Sequence, residues 1–192
     1  MIDMDPFFST REKGEIPRII EEIPKNVWDG ISGYISTELD KGSFGSDFPL
    51  ECQDGGAITG SNLYNFEKVL KAEIPDIIWP PYTQNLPDTY AILDFIEFCY
   101  AHIADPIQGD YHQYFQHFHL SFDKENGKAL FRTKINRMLI RNGIAFDLNV
   151  SGQIERVINP VLKQSFEAFR FNSGDKSLDD LLKLAVSKFL KP

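Results

Sequence analysis

The sequence predicts an α+β domain: several helices packed around a small antiparallel sheet that contains a β-hairpin in the C-terminal half of the chain. Three observations predict it. Ile144, Phe146, Leu148 and Val150 alternate with Ala145, Asp147 and Asn149, Ser151-Gly152 supplies a reversal, and Ile154, Arg156 and Ile158 alternate again, which is the pattern of a half-buried hairpin. Gly143 and Pro160 bracket that hairpin as the end of one helix and the start of the next. The 192 residues are 42% hydrophobic and include 16 Phe, enough apolar and aromatic volume for one sizeable core.

Taken in order, residues 1–15 read as a polar, turn-rich arm whose Phe7 and Phe8 anchor it onto the core. Pro24 opens a helix to about Leu39, with Val27, Trp28, Ile31, Ile35 and Leu39 on one apolar face. Gly30 and Gly33 weaken it locally or admit a close neighbour. Residues 40–61, rich in Gly, read as a long surface loop pinned by Phe44, Phe48 and Leu50. Its glycines at 55, 56 and 60 lack the Gly-Lys-Ser/Thr of a phosphate loop, and no strand leads into them. Ser61 or Asn62 caps a helix from Leu63 to about Ala72, with Leu63, Phe66, Val69 and Leu70 facing inward. Prolines at 75, 80, 81 and 87 keep the following interval irregular. A helix then runs from about Asp88 to Ala104, its apolar set wide enough for burial on most sides.

His117-Phe118-His119-Leu120-Ser121-Phe122 alternates strictly and reads as a strand with both histidines on one face. Two His at i and i+2 can reach one metal ion, with Tyr111, His112 or Asp123 as candidate further ligands. A solvated strand face accounts for the same pattern, and no known ligand spacing follows, so the sequence assigns no metal and no cofactor. Residues 123–127 read as a polar turn, followed by a helix from about Phe131. On it Lys134, Arg137 and Arg141 stack at steps of three and four, opposite Phe131, Ile135, Met138 and Leu139. In a chain of net charge −8 this is the concentrated positive patch, and the candidate surface for RNA or another anionic ligand. An ordinary solvated helix face is the plainer account. Val161, Leu162, Phe166 and Phe169 mark a short helix after the hairpin, and Ser177 with Asp180 starts an amphipathic last one.

Composition limits the function classes. The acidic balance disfavours general affinity for nucleic acid or acidic membranes. The N-terminus carries neither a signal peptide nor a membrane span, and Cys52 and Cys99 form no CxxC pattern, so a reduced, cytoplasmic setting without membrane partners is expected. Cys99 and His102 could meet on one helix face, but Cys99 belongs to the apolar set and reads as a core thiol. The adjacent carboxylates Glu21-Glu22 and Asp179-Asp180 point apart on a helix. No enzyme is assigned.

Several motifs carry a resemblance: Phe8-Ser9-x-Arg11-x-x-Gly14-x-x-Pro17, Pro24-x-x-Val27-Trp28, Gly42-Ser43-Phe44-Gly45-x-x-Phe48-Pro49, Ile135-Asn136-x-x-Leu139-x-x-Asn142-Gly143, and Phe146-x-Leu148-x-x-x-Gly152-x-Ile154. With the ending Gly174-Asp175-x-x-Leu178-Asp179-x-Leu181-Leu182, the chain resembles the N-terminal domain of AbiJ-type abortive-infection proteins of bacteria. In that family the domain precedes a C-terminal HEPN helical domain, in many relatives a ribonuclease used against phage. The HEPN signature is an Arg followed a few residues later by His, and this chain has no such pair. The resemblance therefore implies a non-catalytic sensing, regulatory or interaction domain over residues 1–175, with residues 176–192 an amphipathic helix leading to a C-terminal effector as partner. Its contact surfaces are expected to be the basic helix face and the Gly-rich loop. The competing expectations are a metal-dependent hydrolase or nuclease using His117 and His119, and a nucleic-acid-binding module using the basic helix over 128–141.

Overall fold

The computed structural model describes residues 8–14, 16–81, 85–157 and 176–189. The elements among them are α1 (Phe8–Lys13), α2 (Lys25–Lys41), β1 (Pro49–Glu51), β2 (Ile58–Ser61), α3 (Leu63–Glu73), α4 (Thr89–His102), β3 (Asp105–His112), β4 (His117–Asp123), α5 (Lys124–Arg141), β5 (Phe146–Leu148), β6 (Ile154–Arg156) and α6 (Lys176–Phe189). The strands pair antiparallel as β1–β2, β3–β4 and β5–β6, so the predicted α+β class holds with three separate two-stranded sheets in place of one. Ile158 and the predicted helix over 161–169 lie outside the described residues.

The helices bury the faces their spacing predicts. In α2, Val27, Trp28, Ile31, Ile35 and Leu39 are buried, and Gly42 at φ +88 ends the helix by donating its N–H to Leu39 O and Glu38 O. Asn62 caps α3 by accepting from Asn65 N, and Phe66 and Leu70 are buried, whereas Leu63 is exposed. α4 is buried on most of its circumference, as its wide apolar set requires. In α5, Phe131, Ile135 and Leu139 enter the core with Met138 packed against it.

Several segments depart from expectation. Residues 8–13 form a short helix rather than a turn-rich arm, and Phe8 is exposed, its ring under the Arg11 guanidinium. Phe7 lies outside the described residues. The stretch 40–61 is a tight turn followed by the β1–β2 hairpin. Phe44 and Phe48 are buried in it as predicted, but Leu50 is exposed. Residues 123–127 are no free turn: Asp123 caps α5 by accepting from Asn126 N, and Gly127 lies inside the helix. The strand at 117–123 pairs with β3, not with the C-terminal hairpin, because residues 105–112 extend beside it in register, Pro106 opposite Phe122 and His112 opposite His117.

The hairpin of β5 and β6 forms where it was expected but with shorter strands, Phe146 opposite Arg156 and Leu148 opposite Ile154, and Val150 falls in its turn and is exposed. Its turn is built by Asn149, whose Oδ1 accepts from Ser151 N and Gln153 N, and by Gly152 at φ +87, where a Cβ would stand 2.3 Å from the Tyr100 ring. The hairpin is fastened from both sides. Asn136 of α5 pairs with Leu148 like a further strand residue, its amide donating to Leu148 O at 2.9 Å and accepting from Leu148 N at 2.8 Å. On the other side Ile20 bridges Ile144 in parallel, and Arg18 grips the strand. Its guanidinium donates to both carboxylate oxygens of Asp147 at 2.8 Å, to Ile144 O at 2.9 Å and to Phe146 O.

That fork sets an expected result. Lysine cannot span two carboxylate oxygens and two carbonyls at once. Arg18→Lys should therefore lower unfolding free energy by about 1.5–3 kcal/mol, the range for charge-assisted bonds that are partly screened. Urea unfolding of the two proteins measures it, and a change within about 0.5 kcal/mol would mean the fork is ornamental.

A second fastening joins the turn after α2 to α4 and α5. Asp47 accepts from Lys124 Nζ at 2.7 Å and from Ser46 Oγ at 3.1 Å, and stands 2.9 Å from His102 Nδ1. Burial works to raise the Asp47 carboxyl's pKa, but the hydrogen bonds from Lys124, His102 and Ser46 together outweigh it and hold the group below its ordinary 3.8. A carboxyl whose folded pKa is depressed contributes stability that is whole above the unfolded value and disappears as pH falls through the folded one. Stability should accordingly decline below about pH 4, and less steeply in Asp47→Asn. Unfolding curves at several acid pH values test this; parallel declines in the two proteins would remove Asp47 as a contributor.

Candidate metal centre

β3 and β4 bring three histidines to one face. A four-residue turn closed by Gln116 at φ +54 sets His112 opposite His117, and His119 follows two residues on, where side chains return to the same side of a strand. The ring centroids stand 5.6 Å apart for His112–His117 and His112–His119, and 5.8 Å for His117–His119. Phe115 stacks parallel to the His117 ring at 6.0 Å.

The turn between β1 and β2 meets this face. The ligand atoms of Cys52, His117 and His119 all lie within 4.8 Å of one another, and so do those of Cys52, Asp54 and His112. Cys52 Sγ donates to Asp54 Oδ1 at 2.6 Å, while Asp54 Oδ2 stands 2.5 Å from His112 Nε2. Phe115 N donates to His112 Nδ1 at 3.3 Å, which leaves the neutral imidazole's proton on Nε2, toward Asp54. The Asp54 hydrogen bond, with burial second, pushes the Cys52 thiol up. The thiol's hydrogen bond in turn holds the Asp54 carboxyl below its usual range, with His112 contributing and burial opposing. His117 Nε2 and His119 Nε2 are buried and, among the described residues, have no hydrogen-bond partner.

The sequence singled out His117 and His119, and the structure brings them together on the expected face, each half-buried with its Nε2 shielded from solvent. Of the three further ligands considered, His112 is beside them. Tyr111 packs instead on Phe118, and Asp123 is occupied as the cap of α5. Cys52 and Asp54 were missed. Neither belongs to a local ligand spacing, and only the fold of the β1–β2 turn carries them to β4.

The basic residues lie elsewhere. α5 presents Lys134 to solvent, its ammonium 5.9 Å from the centre of the Tyr34 ring. Arg137 is half-buried and Arg141 exposed, and both are engaged in interactions of their own. Tyr34 also lines a cleft of about 470 Å³ with Glu38, Lys41, Asp105 and Gln108. Burial, and then the nearby Glu38 charge, push its hydroxyl far above the usual range. Cys99 is the core thiol the sequence suggested: it is fully buried, burial raises its pKa, and His102 turns to Asp47 instead.

A family model described as AbiJ N-terminal domain 4 matches residues 6–172. The chain belongs to this family. No curated protein and no solved structure matches it. Membership makes the chain an abortive-infection protein domain, as the resemblance implied. In this AbiJ N-terminal domain several of the motif residues that carried the resemblance serve the fold. Gly42, Gly143 and Gly152 hold positive φ, Phe44 and Phe48 are core, and Asn136 pairs with Leu148. The cysteine–histidine cluster shares none of those positions. No helix among the described residues is long and apolar enough to cross a membrane.

Proposed function

We propose that this chain is a non-catalytic sensing and regulatory domain that controls a C-terminal HEPN-type effector of the same full-length protein in bacterial defence against phage. The observation that carries this reading is the match to the AbiJ N-terminal domain over residues 6–172, in a chain with no Arg–His pair of the HEPN kind. α6 adds support, because Leu178, Leu181, Leu182 and Leu184 are all exposed on it and offer an apolar surface to a following domain. Lys134, Arg137 and Arg141 on α5 are the proposed contact for RNA or another anionic trigger, and cytoplasmic location follows from that role. Binding there would weaken steeply with added salt.

The deciding experiment compares RNA binding and cleavage by this chain with those of the same chain extended by an effector, each with and without chelator. Cleavage confined to the extended protein supports the regulatory reading. Cleavage by the chain alone, stopped by chelator, overturns it in favour of a metal-dependent nuclease centred on His117 and His119. The clustering of Cys52 with those two histidines is the specific observation behind that second reading.

A further inference from the structure

We infer that Cys52, His117 and His119 bind a thiophilic divalent cation of the zinc class, and that this ion ties the β1–β2 turn to the β3–β4 hairpin. The inference is independent of the regulatory reading, since it concerns what the cluster holds and not what the domain controls.

Two separate observations converge on an ion. The first is geometric: one sulfur and two imidazole nitrogens lie mutually within 4.8 Å, so that small side-chain rotations bring them to the roughly 3.3–3.7 Å edges of a tetrahedral site, and they come from segments more than sixty residues apart in sequence. The second is the state of the nitrogens. His117 Nε2 and His119 Nε2 each have less than 1 Å² of accessible surface and no hydrogen-bond partner among the described residues. Buried polar atoms are almost always satisfied, and leaving one bare costs about 1–3 kcal/mol. Two such atoms, on histidines that cluster with the Cys52 sulfur, are explained together by a single cation that accepts both lone pairs. Aromatic packing explains the stacking of Phe115 on His117, but it leaves both nitrogens bare.

The donor set selects the ion. A thiolate with two imidazoles suits zinc and its borderline-soft neighbours, whereas magnesium and calcium require oxygen ligands. On binding, Sγ gives up the proton it now donates to Asp54, the proton passes to solvent, and a metal–sulfur bond replaces the hydrogen bond. Three protein ligands leave a fourth tetrahedral position, and the Asp54 and His112 ligand atoms, which lie within 4.8 Å of that of Cys52, are the neighbouring groups available to it.

Cobalt(II) titration of the chelator-treated chain tests the site, because cobalt reports its own ligands. The expected result is one ion per chain with a sulfur-to-cobalt charge-transfer band in the near ultraviolet and intense tetrahedral visible bands, both displaced by one equivalent of zinc. Cys52→Ser should abolish the charge-transfer band, and His119→Ala should weaken cobalt binding by about 100-fold. Far-ultraviolet circular dichroism of each metal-free variant, matched to the metal-free parent, separates lost ligation from lost fold. If a variant fails that control, the parent's spectrum decides by itself: a charge-transfer band requires Cys52, as Cys99 is buried in the core. Absence of a one-to-one complex in the parent, or a complex without the sulfur band, overturns the inference.

Discussion

Gly127→Ala is expected to destabilise the protein by about 3 kcal/mol, against the direction that helix propensity alone would give. Gly127 sits inside α5, where alanine would ordinarily be favoured by about 1 kcal/mol. The space decides otherwise. A Cβ at this position would stand 2.3 Å from Asp105 N, 2.4 Å from Ala104 C and 2.5 Å from Ala104 Cα. All three are backbone atoms, so no side chain can swing aside. Nor can that backbone retreat easily. Ala104 N donates to Ser43 O at 2.8 Å, Asp105 pairs with Asp123, and Asn126 Nδ2 donates to Asp105 Oδ2 at 2.7 Å. α5 must therefore shift away from the start of β3, disturbing the packing of Phe131 one turn further on. Urea unfolding with an unchanged slope and a lower midpoint measures the loss. A neutral or stabilising result would show that α5 can slide, and that the close crossing does not constrain the fold.

Phe66→Ala should cost about 3–5 kcal/mol, the usual range for emptying a fully buried aromatic position. Phe66 has no solvent exposure and sits among Phe44 at 5.2 Å, Phe48 at 5.5 Å, Phe98 at 5.6 Å and Trp79 at 5.9 Å, all edge-on. These rings come from the turn after α2, from α4 and from the irregular segment after α3, so removal of the central ring unties three parts of the chain at once. Edge-to-face pairs add about 0.5–1.5 kcal/mol each beyond simple burial. Phe66→Leu, which refills most of the volume but loses the ring edges, should recover more than half of the loss. Thermal and chemical unfolding of both variants provide the measurement. A loss near 1 kcal/mol in Phe66→Ala would mean that the surrounding rings collapse into the space.

Much of the fold was legible because its signals are local. The apolar faces of α2 and α5, the cap at Asn62 and the hairpin with its turn at Gly152 follow from spacing and from the backbone freedom of particular residues. The 40–61 stretch was misread because a hairpin of a three-residue and a four-residue strand leaves almost no alternation to detect. Residues 105–112 gave no strand signal, since Pro106, Gly109 and two Asp interrupt them. The pairing comes from β4 alongside, with a bulge between Gln108 and Tyr111. Gly127 looked like a turn residue because glycine's two uses, reversing the chain and admitting a close neighbour, are indistinguishable in sequence.

The same division runs through the functional residues. The sequence by itself determined that this is an α+β domain of the AbiJ N-terminal kind, that His117 and His119 share one face of a strand, and that Lys134, Arg137 and Arg141 share one face of a helix. The family follows from the motif resemblance, and the shared faces are properties of a repeating backbone and of short-range spacing. Only the tertiary structure decided that the Nε2 atoms of His117 and His119 are shielded from solvent, that His112 stands across from them, and that Cys52 and Asp54 arrive from a turn some sixty residues earlier. Ligand clusters assembled from distant segments leave no periodic trace, because each contributor obeys the local rules of its own turn or strand while their meeting depends on how the hairpins pack.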